Sequence, residues 1–331
     1  MKVLVTGGCG FIGSHTMVDL IQHNFDVVCV DNFCRSNQII LSSIEKIVQE
    51  KITNYAVDIC NKNALNAIFK AEKNIDAIIH FAAYKAVEES VLEPLMYYQN
   101  NIVGLLNILE MCTEFKIPHF IFSSSCTVYG NPTIIPVTEE TAILPAASPY
   151  GASKQICEQI LQDYTNVNPI HTILLRYFNP VGAHPSNCIG EFPIGKPQNL
   201  FPIITQTAVG IKPQMQVFGT DYNTKDGTCI RDYIHVCDIA NAHTLALMYS
   251  IQKYKKNNTE VFNLGSGKGN TVLEVIKCFE KITNITLNYV LSDRRPGDVE
   301  AIFANNEKAI SVLHWQIKYD LKKNREHCLL Y

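Results

Sequence analysis

The chain of 331 residues has a single tryptophan and contains no Lys/Arg run, no Cys-x-x-Cys pair and no His-x-x-x-His spacing. Each absence closes a class. Without clustered cations, and with a net charge of -3, there is no electrostatic footprint for nucleic acid or an anionic membrane. The twelve cysteines and ten histidines show no metal-ligand clustering, so no metal is expected. Scattered from Cys9 to Cys328, the cysteines read as small buried apolar residues of a reducing compartment rather than disulfide partners. No apolar stretch approaches the ~20 residues of a membrane span. Met1-Lys2 leads only into the short apolar run Val3-Leu4-Val5, too brief for a signal-peptide core. A cytoplasmic protein with a small-molecule partner is expected, and no internal repeat or low-complexity tract complicates that reading.

What is present is ample apolar material. A hydrophobic content of 47% allows one large core or two moderate ones, and two lobes are expected. Residues 2 to 6 form a continuous apolar run of the kind buried on both faces of a parallel sheet. Gly7-Gly8-Cys9-Gly10-Phe11-Ile12-Gly13 follows, then an amphipathic helix to about His23. The glycines fit Gly-x-Gly-x-x-Gly on Gly8, Gly10 and Gly13, or Gly-x-x-Gly-x-x-Gly on Gly7, Gly10 and Gly13. Either register makes a tight turn that a pyrophosphate can approach, with a helix N-terminus facing the anion. A second strand ends at Asp31, eighteen residues after Gly13. A carboxylate there accepts from a ribose 2'-hydroxyl and repels a 2'-phosphate, which favours NAD over NADP. Asn32 and Ser36 lie on the loop leaving that strand and are candidates to close over the same ribose.

A helix over about 39–50 and a third strand over 52–58 lead to Asp58-Ile59, placed to line the adenine. After a helix at about 62–72, a fourth strand over 75–80 runs into Phe81-Ala82-Ala83-Tyr84-Lys85, whose small residues let backbone lie against a cofactor. Lys85 reads equally as a cofactor contact or a surface lysine. From Pro94 to Lys116 the helical pattern has apolar residues on more than one face, consistent with core packing or with an oligomer surface, and a homodimer is expected. A fifth strand, His119 to Ser125, ends in three hydroxyls at the edge where parallel sheets bind ligands, making Ser125 a candidate to bond a substrate hydroxyl. A sixth strand spans 172–176.

Between the last two strands Ser148-Pro149 opens a helix carrying Tyr150 and Lys154, four residues apart and therefore on one face. A phenol with an ordinary pKa of about 10 is a poor base near neutrality. A cation about 4 Å away in a partly dry cleft supplies about 4 kcal/mol toward the phenolate, and a second cation would help. The pattern is α/β: a Rossmann-type doubly wound parallel sheet over residues 1–178, with 231–265 returning to it. A smaller mixed α/β substrate-binding lobe is expected from 179–230 and 266–331.

Several stretches make the chain resemble the UDP-glucose 4-epimerases of the extended short-chain dehydrogenase/reductase superfamily. They are the glycine turn through His15, His80–Val87, Ser123–Gly130, Ser148-Pro-Tyr-Gly, Leu175–His184 and Asp226–His235. The resemblance runs nearly end to end. It implies an NAD-dependent enzyme interconverting UDP-galactose and UDP-glucose through a transient 4-keto sugar. Tyr150 is implied as the base at the sugar 4-hydroxyl, Lys154 as the group that holds the nicotinamide ribose and lowers the Tyr150 pKa, and Ser125 as a second partner of the 4-oxygen. It further implies NAD contacts at Gly7, Gly10, Phe11, Ile12, Gly13, Phe81, Ala82, Ala83, Lys85, Asn100 and Phe178. UDP-sugar contacts are implied at Asn179, Asn199, the Gln216-Val217-Phe218 edge, Arg231 and Arg295, and Ile302 falls on the position that gates N-acetylated sugars. Three departures stand out: Ala83-Tyr84 where the family often has Gly-Leu, Ile302 where strict members can carry tyrosine, and a short tail after Trp315. The related 4,6-dehydratases use an Asp-Glu pair beside the catalytic hydroxyl, where this chain has Cys126-Thr127.

Overall fold

The computed structural model describes residues 1–319 apart from residues 196 and 296. The end of the expected C-terminal tail therefore lies outside the described residues. Seven strands form one all-parallel sheet: β1 Lys2–Thr6, β2 Asp26–Val30, β3 Thr53–Tyr55, β4 Ile75–His80, β5 His119–Ser125, β6 His171–Tyr177 and, later in the chain, β10 Asn258–Leu264. Their spatial order is β3-β2-β1-β4-β5-β6-β10. This is the doubly wound arrangement, and strand order reverses between β1 and β4.

Why these runs form such a sheet is visible in β1. Val3 and Val5 enter one apolar core with Met17, Leu20 and Phe262, while Leu4 enters another with Phe69, Leu105 and Phe120. Alternate side chains point to opposite faces, so a strand covered on both sides must be apolar at every position. The helices Phe11–Gln22 and Val236–Gln252 cover the first face; Lys62–Ala71, Gly104–Phe115 and Pro149–Val167 cover the second.

Three expectations on element boundaries change. The third strand shrinks to Thr53–Tyr55, because it lies at the sheet edge and the Val57 N–H turns back to donate to Tyr55 O at 3.0 Å. The long helical stretch after Pro94 is broken by a π-helical turn, Gln99–Val103. Residues 231–235 do not return to the large sheet.

Those residues belong instead to β9 Ile230–His235, which pairs with β7 Asn179–Val181, β11 Gly269–Thr271 and β13 Ala301–Ile302 in a separate sheet. Return to the large sheet begins with the helix Val236–Gln252 and ends in β10. A further pair, β8 Met215–Phe218 and β12 Tyr289–Ser292, carries Met215 and Val217 into a third core with Phe201, Tyr233 and Phe279. The helix Val272–Thr283 in this core starts with a reciprocal cap: Thr271 Oγ1 accepts from Glu274 N at 3.2 Å, and Glu274 Oε2 accepts from Thr271 N at 2.9 Å.

Candidate active site

The glycine turn settles into the Gly7, Gly10, Gly13 register. Gly7 takes φ +67°, and a Cβ there would stand 2.7 Å from Ala82 N. A Cβ on Gly13 would collide with the Gly7 carbonyl, and Gly10 is the N-cap of the Phe11–Gln22 helix. Gly8, by contrast, faces only the flexible ends of Cys29 and Met17. A turn stripped of side chains, opening a helix at the carboxyl end of a central strand, fits a dinucleotide pyrophosphate.

Asp31 sits one residue past β2 and is buried. Its Oδ2 accepts from Cys9 N at 2.9 Å, and its Oδ1 accepts from Phe33 N at 2.9 Å and Ser36 Oγ at 2.8 Å. The carboxylate thus links the glycine turn to the loop leaving β2. Asn32 Nδ2 donates to Asp58 Oδ2 at 3.0 Å, which joins the ends of β2 and β3. Ile59 is buried beside Gly104, where any Cβ would collide with it, and its carbonyl accepts from Asn107 Nδ2 at 2.9 Å. The Phe81 ring lies tilted against His243, with ring centres 4.7 Å apart, and its N–H donates to Thr6 O at 3.0 Å. Ala82 follows with its N–H 3.4 Å from Thr6 Oγ1.

Ser148 caps the Pro149–Val167 helix by accepting from Gly151 N at 3.2 Å, and Pro149 occupies the first turn, where its missing N–H costs nothing. Tyr150 and Lys154 are both buried. Burial pushes the Tyr150 phenol up to about 12, with a hydrogen bond from Ser125 pulling the other way. Lys154 is pushed down to about 8 by burial; its Nζ donates to Ser123 O at 2.6 Å and lies 4.6 Å from the centre of the Phe122 ring. The Tyr150 value is thus raised rather than lowered. Desolvation dominates, and Lys154 is engaged with the β5 backbone. Ser125, at the end of β5, accepts from Thr127 N at 3.2 Å and Thr127 Oγ1 at 3.0 Å.

Four groups here escape sequence reasoning. Glu158, one turn beyond Lys154, accepts a two-pronged ion pair from Arg176 of β6, at 2.9 and 2.6 Å, and a hydrogen bond from Ser124 Oγ at 2.5 Å. Asn101, next to the expected Asn100, is buried in the π-helical turn; its Oδ1 accepts from Tyr84 N at 2.8 Å and Asn100 Nδ2 at 2.9 Å, and its Nδ2 donates to Tyr84 O at 3.1 Å and Ser153 Oγ at 3.0 Å. Glu191 accepts from Lys85 Nζ at 3.1 Å and Asn199 Nδ2 at 2.5 Å, so it joins one expected cofactor residue to one expected substrate residue. Asp298 Oδ1 lies 3.4 Å from Arg231 Nη2 and 2.9 Å from Arg295 Nη2. Only the Glu158 position carries a sequence signal, its i, i+4 spacing from Lys154.

The remaining expected residues fall on the smaller sheet and its neighbours. Asn179 begins β7 beside Tyr233 of β9, directly after the buried Phe178. In β8, Gln216 is exposed, but Val217 is fully buried in the third core, which leaves only its backbone for a ligand. The Arg295 guanidinium stands 5.7 Å from the centre of the Phe218 ring. Ile302 pairs with Arg231 across β13 and β9 and is buried with Cys126, Tyr129 and Phe178.

A family model described as GDP-mannose 4,6 dehydratase matches residues 4–326. The chain is 46% identical over 326 residues to UDP-glucose 4-epimerase 2 of Arabidopsis thaliana, covering 97% of this chain and 92% of that one. It is 48% identical over 319 residues to a UDP-glucose 4-epimerase of Schizosaccharomyces pombe, covering 95% and 89%. Among solved structures, the UDP-glucose 4-epimerase of Bifidobacterium longum in complex with NAD+ and UDP superposes with a TM-score of 0.95 at 43% identity, covering 100% of this chain and 97% of that one. Agreement at nearly half of all positions, sustained along almost the whole length of both chains, means that this chain belongs to the UDP-glucose 4-epimerase family.

Proposed function

We infer that the protein is an NAD-dependent 4-epimerase that interconverts UDP-galactose and UDP-glucose. The observation that carries this reading is the buried Tyr150/Lys154 pair, on a helix that packs against β5 beneath the edge where Ser125 ends. Bound NAD would supply the hydride acceptor for the sugar C4 and the donor for its return. Gly7, Gly10, Phe11, Ile12 and Gly13 cradle its pyrophosphate, and Asp31, with Asn32 and Ser36 beside it, takes the adenosine ribose. Asp58 and Ile59 line the adenine, while Phe81, Ala82, Ala83, Lys85, Asn100 and Phe178 border the rest of the cofactor.

Tyr150 takes the proton from the sugar 4-hydroxyl and later gives it back. Lys154 and Ser125 stabilise the phenolate by charge and by hydrogen bonding. Asn179, Asn199, the Gln216–Phe218 edge, Arg231 and Arg295 hold the UDP moiety. Both arginines already share Asp298, so the diphosphate joins an existing charged cluster rather than meeting two free cations. A 4,6-dehydratase reading lacks support, because the turn Cys126–Tyr129 next to Ser125 offers no carboxylate to eliminate water.

The unit that binds NAD is residues 1–178 with 236–265 and, contrary to expectation, the helix Glu307–Leu313 and Trp315, which pack into its core; residues 179–235 with 266–306 bind the UDP-sugar. A homodimer accounts for the exposed Leu95, Val103 and Leu106, which recur at helical spacing and would otherwise face water. A cytoplasmic location agrees with the free state of every cysteine among the described residues. No helix among the described residues is long and apolar enough to cross a membrane.

The test is direct. Purified protein should interconvert the two UDP-sugars without added oxidant and release near-stoichiometric NAD on heat denaturation. Finding NADP in the released material would reject the role of Asp31. Absence of conversion by NAD-loaded protein would reject the activity.

A further inference from the structure

We propose that Arg35, Tyr84 and Glu89 form a side-chain clasp that closes over the glycine turn and slows release of the dinucleotide. The proposal rests on the NAD reading above. Its basis is topological. β2 and β4 are the two neighbours of β1 in the sheet, so the loops leaving them flank the glycine turn on either side. Arg35 belongs to the loop after β2, whereas Tyr84 and Glu89 follow β4.

Side chains span the gap between these loops. Arg35 Nη2 donates to Glu89 Oε1 at 2.8 Å, and its guanidinium carbon stands 4.9 Å from the centre of the Tyr84 ring. Cys34 Sγ lies 3.8 Å from Tyr84 Oη. The two halves differ in rigidity. On the β4 side, the Tyr84 N–H and carbonyl are both held by Asn101, at 2.8 and 3.1 Å. Tyr97 Oη donates to Glu89 Oε2 at 2.7 Å and accepts from Ala86 N at 3.0 Å. On the β2 side, the Arg35 side chain remains 48% exposed. A fixed aromatic and carboxylate platform thus faces a solvated cation. Arg35 can leave it by side-chain rotation alone, without unfolding either loop. An enzyme whose cofactor is restored in every turnover gains from such a latch, since it never needs to release the cofactor in order to work.

The experiment is exchange of bound NAD for isotopically labelled NAD, measured on purified holoenzyme. Arg35→Ala removes the ion pair and the cation–π contact and should speed exchange roughly threefold to thirtyfold. Tyr84→Leu removes the ring alone and should speed it about twofold to fivefold. Tyr84→Phe retains the ring and should stay near wild type, a rescue that a merely structural defect would not show. Raising the salt concentration should accelerate wild-type exchange toward the Arg35→Ala rate while leaving that variant nearly unchanged, because the ion pair is exposed. Exchange at the wild-type rate in NAD-loaded Arg35→Ala and Tyr84→Leu would overturn the clasp. A wild-type protein isolated without any NAD would instead overturn the cofactor reading, and the clasp with it.

Discussion

Replacing Lys154 by Met tests how the protein makes a base out of Tyr150. Burial lifts the phenol to about 12 and lowers the Lys154 ammonium to about 8. Lowering a pKa from about 12 to about 7 requires about 7 kcal/mol of preference for the phenolate. One cation about 4 Å away contributes about 4 kcal/mol at an effective dielectric near 20. A cation held at that separation would therefore leave Tyr150 roughly two units short of neutrality. The positive charge of oxidised NAD would supply the remainder. In NAD-loaded enzyme, Lys154→Met should move the acidic limb of the kcat/KM profile upward by about three units. Tyr150→Phe should remove the limb and cut kcat about 10²-fold to 10⁴-fold. The assay is conversion of UDP-galactose to UDP-glucose across the pH range, with bound NAD quantified in each variant to separate a lost charge from a lost cofactor. A Lys154→Met limb within about half a unit of wild type, at full NAD occupancy, would refute the reasoning.

Glu158→Ala should destabilise the protein by about 3–5 kcal/mol in urea unfolding, because it strands the buried Arg176; a loss below about 1 kcal/mol would contradict the pairing. Burial holds His15 and His80 at about 3 and His119 and His243 at about 4, below the ordinary value of about 6.5. Their stabilising contribution is complete above about 6.5 and is lost as pH falls, by about 1.4 kcal/mol per pH unit for each histidine, so equal unfolding free energies at pH 7 and pH 5 would count against it. With Ile302 stiff at χ1 and packed against Phe178, UDP-N-acetylgalactosamine should be used about 10-fold to 200-fold less efficiently than UDP-galactose, and equal kcat/KM values would show an open pocket.

The parts legible in the sequence are those whose conformation follows from a local period. Strands buried on both faces must be apolar at each position, so β1, β2, β4 and β5 stand out as short runs, and a glycine turn between strand and helix marks the end of β1. The i, i+4 rule alone places Tyr150 and Lys154 on one face. The choice between Gly7 and Gly8 is not legible, because it depends on how closely Ala82, seventy-five residues later, approaches the turn. Residues 231–235 are hard to place for a similar reason: nothing local in Arg-Asp-Tyr-Ile-His tells a strand of the smaller sheet from the entry to the next helix.

Polar partners are hidden more deeply still. A glutamate and an arginine eighteen residues apart read as solvated surface charges. Only when β6 runs beneath the Pro149–Val167 helix do Glu158 and Arg176 meet, with Ser124 and Tyr129 completing the set. Once formed, that network fixes the rotation of the helix against β5, because any other rotation would bury the Glu158 carboxylate without its partners. Lys154 stands one turn from Glu158 and Tyr150 two turns away, on the same face. The ion pair that sequence reasoning misses therefore holds in place the tyrosine and lysine that it finds.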